Sequence, residues 1–250
     1  MYFFTQHTSN TFNNSFFYKN IADDGNGGGS GGAINVWQNN EDLTIQNCVF
    51  EDNEAGYAGG AFRQTELSNI NTVIDGSVFK NNICKGANGG AVTLQKGENA
   101  VIKNSLFIGN SAMNGNNGGA VGVGSGSSNF LIRNSTFLKN NAYEGGAISS
   151  DSSRYVYIVG STFKENYATS SAGAIYVKES HINFGLVDTK SYDTKVTVES
   201  NHPYESDYPQ NGVPSPIVQQ SVVIDDASHI LIQFDQETNI NFYGMYLQLL

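Results

Sequence analysis

Asp75, Lys103 and Arg133 each stand four residues before the phenylalanine of a Phe-x-x-Asn motif. An acid and two cations at equivalent places of successive repeats would suit a lyase acting on an acidic polysaccharide. There a lysine or arginine serves as the base beside acids that hold a metal. A hydrolase would instead need clustered carboxylates. The remaining members of the column are Asn13, Gln46 and Val159. A solvated charge ladder, with Asp75 offsetting Lys103, accounts for such a column more simply, because exposed pairs contribute only about 0–1 kcal/mol. Glu51 with Lys80, and Lys139 with Glu165, read as cross-repeat pairs of the same kind.

Other candidate chemistry is sparser. Asp23-Asp24 is similar to the acidic pair of polygalacturonases, but no Gly-His-Gly or Arg-Ile-Lys accompanies it. The pair adjoins Gly25 to Gly29, where Asp and Gly are ordinary loop residues. His7, His181, His202 and His229 are scattered, which suggests neither a metal site nor a Ser-His-Asp set. Gly25-Asn26-Gly27-Gly28-Gly29 lacks the Lys-Ser/Thr of a phosphate loop. No cofactor and no metal is expected. With 13 Lys plus Arg against 23 Asp plus Glu, the net charge is −10, which disfavours a nucleic-acid partner. No apolar run approaches the roughly 18 residues of a membrane helix. Cys48 and Cys84 fall on different parts of the repeat, so two free thiols are expected.

The elements that must position these residues are repeats. Gly-Gly-Ala occurs at 31–33, 59–61, 89–91, 118–120 and 145–147, followed by Ala172-Gly173-Ala174. Between these stand Phe17, Phe50, Phe79, Phe107, Phe137 and Phe163, each three residues ahead of Asn20, Asn53, Asn82, Asn110, Asn140 and Asn166. Five residues before the phenylalanines come Phe12, Ile45, Ile74, Ile102, Ile132 and Ile158; two before come Ser15, Cys48, Ser77, Ser105, Ser135 and Ser161. Apolar and polar residues alternate with period two, and no segment sustains a helical period. A unit of about 28 residues with two or three short strands and Gly or Asn corners predicts an all-β chain: a right-handed parallel β-helix, or solenoid, of about six coils.

In that coil the phenylalanines stack in one interior column, and the asparagines pass amide hydrogen bonds from coil to coil. The serine column shares the parity of the phenylalanines and should face in. The second glycines, Gly32, Gly60, Gly90, Gly119, Gly146 and Gly173, persist even where Ala172 replaces the first. The second position is therefore expected to need a positive φ or a close backbone approach, and the first to be merely tight. Asn13 and Asn134 head Asn-x-Ser/Thr sequons and are candidate glycosylation sites. Trp37, Tyr57, Tyr143, Tyr155, Tyr157 and Tyr167 lie in or beside variable segments, where they could contact a glycan.

The paired Gly-Gly-Ala-Ile and Phe-x-x-Asn motifs resemble the repeats of the chlamydial polymorphic outer membrane proteins, and similar repeats occur in very large surface proteins of protists such as ciliates. The resemblance covers about residues 10–178. It implies a pectin-lyase-like β-helix displayed outside the cell or at its surface, and for the chlamydial family an adhesin role. It supplies a scaffold and no active site, and the family's membrane-barrel C-terminus has no counterpart among the motifs.

The β-helix is expected over 1–200, a Pro-containing linker or cap over 201–216, and a short non-repeat β segment, a cap or the start of a following domain, over 217–250. Lys195-Val196-Thr197-Val198 reads as a last strand. No signal peptide heads the chain, and both termini suggest a piece of a longer protein. The function expected is a non-catalytic structural or adhesive scaffold. A polysaccharide-active β-helix lyase or hydrolase is the alternative, and a glycan-binding module the third. Neighbouring domains of a longer chain, end-to-end self-association, surface glycans, or host or partner proteins are the expected partners.

Overall fold

A computed structural model describes residues 1–3, 7–65 and 69–184. The chain divides into two compact units, Met1–Leu186 and Val187–Leu250. The expected strand at 195–198, the linker 201–216 and the segment 217–250 lie outside the described residues.

The first unit is a parallel β-helix of strands mostly two or three residues long, with no helix among the described residues. One complete coil shows the plan. Ile34–Val36 leads into Asn40–Glu41, then Thr44–Gln46, Val49–Glu51 and Glu54–Ala55, after which the chain loops to Phe62–Gln64 directly alongside Ile34–Val36. Every pairing between coils is parallel, with one register shift between Ala142 and Glu144, and Phe17, Phe50, Phe79, Phe107, Phe137 and Phe163 are successive partners in one six-stranded sheet.

Each coil thus holds four or five short strands, more than the two or three expected, because the chain also turns at corners with no sequence signature. The column Asn14, Asn47, Gly76, Asn104, Asn134 and Gly160 is left-handed, as Asn and Gly suggest. So is Lys19, Asp52, Asn81, Gly109, Lys139 and Glu165, where the residue types vary freely. A left-handed non-glycine residue costs roughly 1–2 kcal/mol. Here the corner N–H offsets that cost by continuing the intercoil ladder: Lys19 donates to Glu51 O, Asp52 to Lys80 O and Lys139 to Lys164 O, at 3.0–3.1 Å.

The glycine pairs correct one expectation. Positive φ belongs to the first glycine (Gly31, Gly59, Gly89, Gly118 and Gly145) and to Ala172 in its place at φ 56°. The second glycine is required by proximity alone. A Cβ on Gly32, Gly60, Gly90, Gly119 or Gly146 would strike the carbonyl oxygen of the second glycine on the next coil. A Cβ on the first glycine meets first a carbonyl of its own turn, as Gly118 would meet Val121 O, with the next coil's Ser149 beyond it, and Ala172 takes the same left-handed conformation in the last repeat.

Two interior columns hold the wall. Successive phenylalanine rings lie 4.6–4.9 Å apart with interplanar angles of 2–5°. Phe50, Phe79, Phe107 and Phe137 are fully buried. Beside them each asparagine uses its whole amide. Asn82 Nδ2 donates to Asn110 Oδ1 at 2.9 Å and back to Phe50 O at 3.0 Å, and the Asn82 N–H reaches the same Oδ1 at 2.9 Å. The pattern repeats along Asn53, Asn110 and Asn140. Because every donor and acceptor is matched, these amides are buried without a desolvation penalty left standing.

The serine column faces in as expected. Ser77, Ser105, Ser135 and Ser161 hydroxyls accept the N–H of the residue one coil earlier, at 3.1–3.2 Å. Cys48 takes a serine's place. Both cysteines are free and buried. Burial pushes the Cys84 thiol above its ordinary pKa.

Candidate functional site

The in-register strands Val73–Asp75, Val101–Lys103 and Ser128–Arg133 make Asp75, Lys103 and Arg133 neighbours on successive coils. Their side chains point away from the core, alternating with buried Ile74, Ile102 and Ile132. Lys103 Nζ lies 3.2 Å from Asp75 Oδ2, and Asn104 Nδ2 donates to Asp75 Oδ1 at 2.8 Å. Arg133 stands between Lys103 and Val159 in the column. The geometry is a ladder: one carboxylate is shared by a lysine and an asparagine amide, and the arginine has no acid beside it along the column. Among the described residues no three His, Cys, Asp or Glu side chains come together as a metal-binding group.

Glu51 and Lys80 pair at 2.7 Å, with Glu51 half-buried and Lys80 exposed, and Lys139 and Glu165 pair at 3.4 Å at exposed positions. Such contacts set the spacing of outward side chains and contribute little else.

The acidic loop is more ordered than its composition suggests. Asp24 Oδ1 accepts the N–H groups of Asn26 and Gly28, each at 2.8 Å, and Asp23 Oδ1 accepts that of Gly25 at 2.9 Å. These backbone donors hold both carboxyls below the usual carboxylate range, and Lys85 lowers Asp23 further. Lys85 reaches Asp23 at 3.0 Å and also contacts Glu54, so one ammonium ties together three coils. The acids raise the pKa of Lys85 in turn. This cluster escaped sequence reasoning. Only Glu54 falls in a strand column, opposite Ile21 and Ile83, whereas Asp23 and Lys85 meet through the path of two loops.

Sequence reasoning also missed Arg63. It lies on the outer side of Phe62–Gln64 yet is only 7% exposed. Its guanidinium carbon is 5.6 Å from the ring centroids of both Trp37 and Tyr57. Flat aromatic faces beside a guanidinium attract it through the ring quadrupole. Of the other candidate contact residues, Tyr143, Tyr155 and Tyr167 are exposed and Tyr157 is half-buried. Met113, Asn114, Tyr143 and Thr169 help line a depression of about 250 Å³. Of the sequon asparagines, Asn13 and Asn134 are both exposed, and Asn134 turns a left-handed corner at φ 48°.

Residues 160–178 match the repeat model of the Chlamydia polymorphic membrane protein. That span holds Phe163, Asn166 and Ala172-Gly173-Ala174-Ile175, the last copy of both motifs. Metabotropic glutamate receptor-like protein R of Dictyostelium discoideum is 26% identical over 221 residues, covering 84% of this chain and 13% of that protein's length. No solved structure matches the chain. No helix among the described residues is long and apolar enough to cross a membrane. Over 160–178 the chain is thus similar to the chlamydial polymorphic membrane protein repeat, and the phenylalanine and asparagine columns of that stretch run on through the coils of a parallel β-helix.

Proposed function

We propose that this chain is a non-catalytic structural or adhesive scaffold of the cell surface or extracellular space. One observation carries the reading: the residues that recur in all six coils are consumed by the wall. Phenylalanines stack, asparagines exchange amide bonds and second glycines abut carbonyls, while the outward columns change from coil to coil. A rod with a constant interior and a variable exterior presents different side chains at fixed spacing. The repeat match and the receptor-like name of the relative support a surface location. Asn13 and Asn134 would carry glycans there without disturbing the interior.

A panel of acidic and neutral glycans tests this, with binding and new reducing or unsaturated ends measured together. The scaffold reading expects no product. Product that disappears in Lys103→Ala and Arg133→Ala would establish a lyase instead. Arg63 between Trp37 and Tyr57 favours glycan binding as a second reading, and saturable binding lost in Tyr57→Ala would establish it.

A further inference from the structure

An asparagine followed by glycine can lose its side-chain amide without a catalyst. The glycine nitrogen closes on the asparagine Cγ, and no Cβ of its own obstructs it. Among the described residues such pairs stand at Asn26-Gly27, Asn88-Gly89, Asn114-Gly115 and Asn117-Gly118; Asn211-Gly212 lies outside them. Ring closure requires a glycine N–H that is not already bonded and an amide free to turn toward it. The fold grants these freedoms unequally.

Two pairs are closed. The Gly89 N–H donates to Asn117 O at 3.0 Å and the Gly118 N–H to Glu144 O at 2.9 Å, and both glycines are buried. Asn88 Oδ1 accepts the Asn117 N–H at 3.0 Å, and Asn117 Nδ2 donates to Glu144 Oε2 at 3.2 Å. A third is half closed. Asn114 and Gly115 are exposed, but Asn114 Nδ2 donates to Lys85 O at 2.9 Å, and the Asn116 N–H closes the turn on Met113 O at 3.2 Å. The fourth is open. Asn26 and Gly27 are both exposed, Gly27 has a φ of 82°, and a Cβ on it would meet nothing within 4 Å. Among the described residues neither the Asn26 amide nor the Gly27 N–H makes a hydrogen bond. The wall is closed throughout: at Asn110 both amide atoms are engaged, and the Ser111 N–H that would attack them donates to Asn82 O at 2.9 Å.

We propose that Asn26 is a self-modification site, at which the folded chain converts its own asparagine to aspartate and isoaspartate. The Gly27 nitrogen gives its proton to a solvent base and bonds to Asn26 Cγ, and the amide nitrogen leaves as ammonia, taking up a proton. Water then opens the cyclic imide. Attack at Cγ leaves aspartate; attack at the Asn26 backbone carbonyl carbon leaves isoaspartate, with the chain routed through Cβ and Cγ. One water is consumed, one ammonia is released and nothing is oxidised. Either product adds one negative charge to a chain already at −10. The new carboxylate stands in the loop of Asp23 and Asp24, which Lys85 joins to Glu54. The exterior therefore gains charge with age at one loop while the interior columns keep every amide.

Peptide mapping by mass spectrometry tests the proposal. The full 250-residue chain is aged at mildly alkaline pH, one sample folded and one unfolded in urea, and each asparagine is followed by the mass gain of an amide becoming a carboxyl. In urea the four pairs are expected to react at similar rates, since each is then asparagine before glycine in an open chain. In the folded sample Asn26 is expected to keep its unfolded rate and Asn114 to follow it. Asn88 and Asn117 should react more than about tenfold slower, because their glycine N–H groups are released only when the intercoil ladder opens locally. Labelling by an isoaspartyl methyltransferase should mark the fragment holding residue 26 first. An Asn26 that stays intact in the folded chain after the urea sample has lost it overturns the proposal. So does an Asn88, Asn114 or Asn117 that keeps pace with Asn26 while the chain is folded.

Discussion

Opposite sides of the same three-residue strands follow different rules. In Val49–Glu51, Val78–Lys80, Leu106–Ile108, Thr136–Leu138 and Thr162–Lys164 the central residue is always phenylalanine and faces in. The outward residue that follows it is Glu51, Lys80, Ile108, Leu138 and Lys164 in turn. An inward side chain meets its own counterpart one coil away, so a change on one coil must suit two neighbours of fixed shape. An outward side chain meets water or a flexible neighbour, and any hydrophilic or modest apolar group serves. Identity is thus enforced on one side of a strand and free on the other.

Substitutions can break or sharpen that contrast. Phe107→Ala opens a gap between Phe79 and Phe137 and is expected to cost about 3–5 kcal/mol in chemical denaturation. A loss under about 1 kcal/mol would mean that the stack collapses around the gap. Asn110→Ala strands both Asn82 donors, removes a donor from Phe79 O and leaves Asn140 Oδ1 only the backbone N–H of residue 110, so a cost near 3 kcal/mol, about the upper end for unmade buried bonds, is expected in the same measurement. Gly119→Ala drives a methyl group into the next coil's backbone and should cost about 1–3 kcal/mol. Gly118→Ala presses on Val121 O of its own turn and on Ser149 of the next coil, at a left-handed place that Ala172 fills in the last repeat, so its melting temperature should stay the higher of the two, and equal values would refute the division of labour between the glycines. On the outer face, Lys103→Ala should change stability by less than about 1 kcal/mol despite the contact with Asp75.

The interior was legible in sequence because each inward column repeats one residue type with one job. Phe-x-x-Asn announced both the ring stack and the amide ladder, and the Asn47-to-Asn134 column announced its corners. The corners at Lys19, Asp52, Lys139 and Glu165 were hidden. There the left-handed turn is imposed by the intercoil N–H bond and not by the side chain, so selection for Gly or Asn is weak. The two glycine roles were partly inverted for a related reason: alanine at 172 showed only that substitution is tolerated, and a tolerated residue can still sit at positive φ. On the outer face the Asp75–Lys103 adjacency followed from register. The meeting of Lys85 with Asp23 and Glu54, and of Arg63 with Trp37 and Tyr57, depends on loop paths, for which no spacing rule exists.

The ring spacing of 4.6–4.9 Å carries a consequence for how such a chain can change length. Gain or loss of one whole repeat moves the end of the rod by a single strand spacing, about 4.8 Å, and leaves every remaining ring and amide in phase. Extra residues between the asparagine and the glycine pair are absorbed in the loop, as the stretch from Asp23 to Ser30 already is. A single residue inserted between a phenylalanine and its asparagine is a different event: it turns one coil's inward set outward and interrupts both columns at that level. Repeat-sized steps and loop-confined insertions are therefore the mutations this wall can accumulate without losing its continuity.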